Sequence, residues 1–239
     1  MSLVELVEQY RQQPLTYPDG EPCEVELLPP LSHEEIDKFA ASLPCPLPQD
    51  VRDLLAHCCG ITGFTEDIEF TREYQAMAPS AFFPHGLSIC PDGCGNYWVV
   101  DLNESSASFG PIYFVDHDPA CIIYQSADLH AFLDEWFRAM IPPHHSLVQQ
   151  VWDHSEQIAR RMNSVLRPQR ECIQGEDSEL RSFARELDEH WQIADFRDAE
   201  PSDGFEWIQV GARTPVRRHD RLPLFAYRKP ATFWQRLFG

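Results

Sequence analysis

Basic residues are scarce in this chain: 19 Lys and Arg stand against 38 Asp and Glu among 239 residues, a formal net charge of -19. That shortage argues against a binder of DNA or RNA, because phosphate neutralisation needs clustered cations. Long apolar runs are also missing. No stretch approaches the roughly 20 apolar residues of a membrane span, and the first residues, Met1 to Glu8, carry no basic segment of the kind that opens a secretory leader. A cytoplasmic address is the expectation, and it decides how the 8 cysteines read. Under reducing conditions they are small buried hydrophobes or free thiols rather than a disulfide framework. Apolar residues are not lacking: 43% hydrophobic and 12% aromatic content is enough for a buried core and excludes a disordered chain.

The charge is unevenly placed. Residues 1–145 hold 23 acids and 5 bases, net -18, whereas residues 146–239 hold 15 acids and 14 bases, net -1. The change coincides with Ile141-Pro142-Pro143-His144-His145, where two prolines stop a helix. A boundary near 145 is therefore expected, separating an acidic domain, 1–145, from a C-terminal extension, 146–239. The last stretch is basic: Arg213, Arg217, Arg218, Arg221, Arg228, Lys229 and Arg236 face only Asp220.

In the acidic part, Ser32 and Glu35 have the spacing of a capping box, and Ile36, Phe39, Ala40 and Leu43 follow on one helical stripe. Leu47-Pro48 starts a second helix through Val51, Leu54, Leu55 and Cys58, with Gly60 expected as its left-handed cap. Residues 64–85 give no firm period beyond a short strand near Ile68. Short strand-like runs then alternate with turn residues: 87–90, 97–102, 112–115 and 121–124. A helix begun by Ser126 presents Leu129, Phe132, Leu133, Trp136, Phe137 and Met140, a face wide enough to cover one side of a sheet. The pattern is that of an α+β domain built on an antiparallel meander.

The order of helix, Leu-Pro turn, helix ending near Gly60, then Ile89-Cys90-Pro91-Asp92-Gly93-Cys94-Gly95-Asn96-Tyr97, Val99-Val100-Asp101-Leu102, Val115-Asp116-His117-Asp118 and the terminal helix resembles the SUKH superfamily, over roughly residues 31–139. That superfamily includes the yeast Smi/Knr cell-wall regulator type and many bacterial immunity proteins. Two departures stand out: Asn96 where such sequences usually carry Asp, and Cys-Gly-Ile-Thr-Gly at 59–63 where an Asn-Gly-Gly type turn is common. The resemblance implies an antiparallel twisted sheet flanked by helices and a non-enzymatic module that binds other proteins, in bacteria typically by masking a toxin.

Asp116-His117-Asp118 could pair a carboxylate with an imidazole, and His57-Cys58-Cys59 could supply a nucleophile, but catalysis needs a base positioned by a third group, and a hydrogen-bonded turn before Pro119 and a helix-packed Cys58 are the favoured readings. Cys90 and Cys94 lack zinc-knuckle spacing and answer to no second pair, so no metal and no cofactor is expected. The glycines at 93 and 95 precede a strand, which suits a hairpin turn better than a phosphate loop. No catalytic residue is expected. The acids carry a different implication, since a strong negative field repels nucleic acid and speeds encounter with a basic protein, such as a nuclease toxin domain. Glu66, Asp67, Glu69, Glu73, Asp92, Asn96, Asp116 and Asp118 are the expected partner-binding residues.

In the second part, helices are expected at about 147–166 and after Ser178. Short strands are expected at 191–197, 205–211 and 224–227, with a turn at Pro201-Ser202-Asp203-Gly204. Whether they pack on the first part or form a separate unit is left open. The basic tail with its Phe233-Trp234 pair could touch anionic lipid or nucleic acid, but folding back on the chain's own acids is the favoured reading, because the overall field repels polyanions. An immunity protein is the leading functional expectation. The alternative is a regulatory scaffold of the Smi/Knr type that recruits an endogenous enzyme.

Overall fold

The computed structural model describes residues 1–239 except 64–66, 73–79, 107, 119, 162–164, 207–213 and 230–239. The chain opens with α1 (Leu3–Arg11), a helix closed at its start by a reciprocal Ser2/Glu5 capping box and burying Leu3, Leu6, Val7 and Tyr10. After β1 (Glu26–Leu27), α2 (His33–Ser42) begins at the second capping box, Ser32/Glu35. Next, α3 (Gln49–His57) starts behind Pro48, which fixes the entry backbone but offers no side-chain cap.

The helix does not end on a left-handed glycine. Cys58 is already extended, and Gly60 is the first residue of β2 (Gly60–Thr62), paired with β1 on one side and with β3 (Ile68–Glu69) on the other. A Cβ on Gly60 would stand 2.1 Å from the Ile68 carbonyl oxygen, so the glycine serves close backbone approach rather than a cap.

A short 3-10 turn (Ser80–Phe82) leads into β4 (Leu87–Pro91), β5 (Tyr97–Val100), β6 (Ile112–His117) and β7 (Ala120–Ser126), an antiparallel meander. Ser126 is the last residue of β7, and the helix after it, α4 (Leu129–Arg138), is capped by the Asp128 carboxylate, which accepts from Ala131 N–H at 2.9 Å. α5 (Leu147–Arg161) is kinked at His154, where φ/ψ of -130/17° leave the helical region. Leu166, expected at its end, belongs instead to β8 (Leu166–Pro168). The chain finishes with α6 (Gln169–Gln174), α7 (Ser178–Arg185), β9 (Trp191–Asp195), β10 (Gly204–Glu206), β11 (Val216–Arg218) and β12 (Leu224–Arg228). The fold is thus α+β with antiparallel sheets flanked by helices.

Strand alternation sorts the apolar side chains into layers. The main sheet runs β10-β7-β6-β5-β4, a second β11-β12-β9-β8, and a small one β1-β2-β3. One face of the main sheet (Trp98, Val100, Ile112, Phe114, Cys121, Ile123) packs with α1, α3, α4 and the inner residues of the small sheet. The other face (Val99, Tyr113, Val115, Ile122) packs on Phe82, Phe83, Phe196, Phe205, Phe225 and Tyr227. The second sheet's far side, Ile193, Leu224 and Ala226, is closed by α6 and α7 through Cys172, Leu180, Phe183 and Ala184. The layers are helix, sheet, sheet, helix.

The composition boundary near 145 is therefore crossed by structure. β10 pairs with β7 in the main sheet, and Phe225 lies 5.4 to 5.8 Å from the rings of Phe82, Phe83 and Tyr113. Arg218 forms a short ion pair with Asp101, whose side chains are 6% and 1% exposed. The guanidinium also sits 4.6 Å over the Phe225 ring.

Candidate protein-binding surface

Two groups of the expected contact residues are found in different places. At one end of the main sheet, the Asp92 carboxylate accepts from the backbone N–H groups of Cys94 and Asn96 at 2.8 and 2.9 Å and from Asn96 Nδ2 at 2.7 Å. Asn96 Oδ1 in turn accepts from the His117 backbone N–H at 3.0 Å and from its Nδ1 at 2.7 Å. Two positive-φ glycines, Gly93 and Gly95, let the turn curl around these bonds. The network ties the β4–β5 hairpin to the β6–β7 hairpin.

It also explains why residue 96 is an amide. A donor toward Asp92 and an acceptor toward His117 are both needed, and a carboxylate would set two like charges face to face. Asp92, Asn96 and Asp116 are buried. Asp116 accepts from Asp118 N–H at 3.0 Å and from the Ser155 hydroxyl, beyond the α5 kink, at 2.7 Å. These three spend their polar atoms inside the fold. Asp118 is exposed.

Glu69 belongs to β3 of the small sheet, exposed Asp67 immediately precedes that strand, and Glu66 and Glu73 lie outside the described residues. The register places Glu26 opposite Thr62 and Gly60 opposite Glu69. Opposed residues share a face, as do residues two apart, so Glu26, Thr62 and Glu69 look outward together, and Glu24, just before β1, is exposed. Leu27, Ile61 and Ile68 fill the inward face against the core. Burial raises the Cys59 thiol first, and the negative charges of Glu69 and Glu35 raise it further. Arg72, 3.5 Å from Glu69, is the cation paired there. The period-two run Glu24-Val25-Glu26-Leu27 is the sequence signal for this face.

The considered nucleophile is not assembled. His57 Nε2 lies 2.8 Å from Glu8 Oε1, and burial pushes the Cys58 thiol up to about 11. Among the described residues, no three His, Cys, Asp or Glu side chains are grouped to hold a metal ion, and no helix is long and apolar enough to cross a membrane.

Comparison with known proteins gives one finding: residues 30–135 match the SMI1 / KNR4 family (SUKH-1). No curated protein and no solved structure matches. The matched region runs from just before α2 into α4; it includes Asp67, Glu69, Asp92, Asn96, Asp116 and Asp118, whereas Glu24 and Glu26 precede it.

Proposed function

We propose, from the match of residues 30–135 to the SMI1 / KNR4 family (SUKH-1), that this chain is an immunity protein whose acidic small-sheet face masks a basic toxin domain such as a nuclease. The family is one of protein-binding modules, so a protein partner is its general mode of action. The observation that carries the finer reading is the outward face of Glu26 and Glu69 with exposed Glu24 and Asp67 alongside, set in a region with 5 bases against 23 acids. A nuclease domain is basic because its substrate is phosphate, and an acidic surface competes for the same groups. Asp118 is a separate exposed acid at the hairpin end. Asp92, Asn96 and Asp116 serve it by holding the hairpins in register.

The test is co-expression of the intact chain with the toxin domains encoded beside it. Protection of the host and a complex whose association slows as salt rises are the expected results. Charge reversal at Glu26 and Glu69 should slow association about tenfold or more at low salt while leaving dissociation less affected. Failure to protect against every neighbouring toxin would refute the reading.

A further inference from the structure

The main and second sheets meet along a seam with an open cleft of about 520 Å³, lined by His85, Asp101, Asn103 and Glu104 from the first part and by Arg218, His219, Asp220 and Arg221 from the second. The turn at 219–222 is held by an imidazole. His219 Nδ1 accepts the backbone N–H groups of Arg221 and Leu222 at 3.2 and 3.1 Å, so in the folded state this nitrogen carries no proton. The ring packs edge-on against Phe183 of α7, with centroids 5.5 Å apart.

The same turn positions Arg218. One guanidinium nitrogen donates to the carbonyls of His219, at 2.7 Å, and of Leu222, and the other donates to buried Asp101. A further bond crosses the seam from the Ser105 hydroxyl to the Arg221 carbonyl at 3.0 Å. The turn therefore grips the segment 101–105, and His219 is the internal brace of the turn.

We propose that this turn is an acid-sensitive latch: protonating His219 abolishes its acceptor, opens the turn, loosens Arg218 from Asp101 and lets the second sheet part from the aromatic face of the main sheet. Two backbone donors pointing at Nδ1 are incompatible with the doubly protonated ring. The charged groups around it do not cancel this. Burial lowers the affinity of His219 for a proton, and Arg218 and Arg221 act in the same direction, while Asp220 and Glu179 of α7 oppose them. Across the cleft stand His85, Asp101 and Glu104. Because the folded value lies below the ordinary 6.5, the contribution of His219 is complete above that pH and is lost as pH falls through the lowered value.

The experiment is hydrogen exchange on the full-length protein between neutral pH and pH 5, corrected for intrinsic rates. In the wild type, opening of the segments 99–105 and 216–228 should rise with acid by up to about tenfold per pH unit, the limit for one proton, while α4 stays protected. His219→Asn keeps an acceptor near the Nδ1 position without a titrating group, and should flatten that rise. His85→Asn should leave it as in the wild type. A rise that persists in His219→Asn, or one shared equally by α4, overturns the latch. Should His219→Asn not fold, the NMR titration of His219 in the wild type decides: its midpoint must coincide with that of seam opening, and separation of the two refutes the proposal.

Discussion

The two faces of the main sheet are covered by different parts of the chain yet are built alike. On one side Trp98 meets Phe114 at 4.7 Å and Phe132 of α4 at 6.1 Å, all within the family-matched region. On the other, Tyr113 meets Phe196 and Phe225 at 5.3 and 5.4 Å, both contributed by residues beyond it. The change in charge near residue 145 is thus a change in surface, not in core. An acidic exterior and a near-neutral one share an apolar interior, because composition records mostly what faces water.

That comparison can be broken most decisively with paired truncations. Phe132→Ala and Phe225→Ala should each cost about 3–5 kcal/mol in chemical denaturation, and in one cooperative transition. If Phe225→Ala instead produced a separate early transition with the main one unmoved, the second sheet would be an independent unit. Smaller, but aimed at the junction itself, is Gly204→Ala: the added Cβ would stand 2.7 Å from the Ile122 carbonyl oxygen. It should cost about 1–3 kcal/mol by overpacking and raise exchange selectively in β10 and β7. The smallest effect lies on the side already within the family's own domain. Asp128→Ala removes the α4 cap and should cost about 1 kcal/mol, read as a uniform loss of stability without loosening of the seam.

A protein made only of residues 1–145 would uncover Phe83, Val99, Tyr113 and Ile122, so truncation there cannot distinguish an immunity protein from a scaffold. Point variants on the small-sheet face can.

Local features were legible. The Ser32/Glu35 box, the turn at 91–95 and the apolar faces of α3 and α4 follow from spacings of a few residues, and the structure realises each. α1 was equally legible, since Ser2 and Glu5 repeat the same box ahead of Leu3, Leu6, Val7 and Tyr10. The strands at 97–100, 112–115 and 121–124 also carried an unread message: near-continuous apolar runs mean burial on both faces, whereas a one-sided sheet alternates.

The remainder was illegible for physical reasons. Nothing local marks Phe205 as the neighbour of Ile122, or Arg218 as the partner of Asp101. Arg218 reads as one more charge of a basic tail, although it is buried. The site divided along the same line. Acid and amide residues near turns looked like contact residues, but Asp92 is spent on Cys94 and Asn96 of its own turn, Asn96 also on His117 of the next hairpin, and Asp116 on Ser155 of α5.

The pairing of β10 with β7 has a consequence for synthesis. Ribosomes deliver the chain at roughly 5–20 residues per second, so the completed meander waits with its aromatic face and the outer edge of β7 uncovered until residues 191–228 emerge. An unpaired strand beside exposed phenylalanines is a template for aggregation.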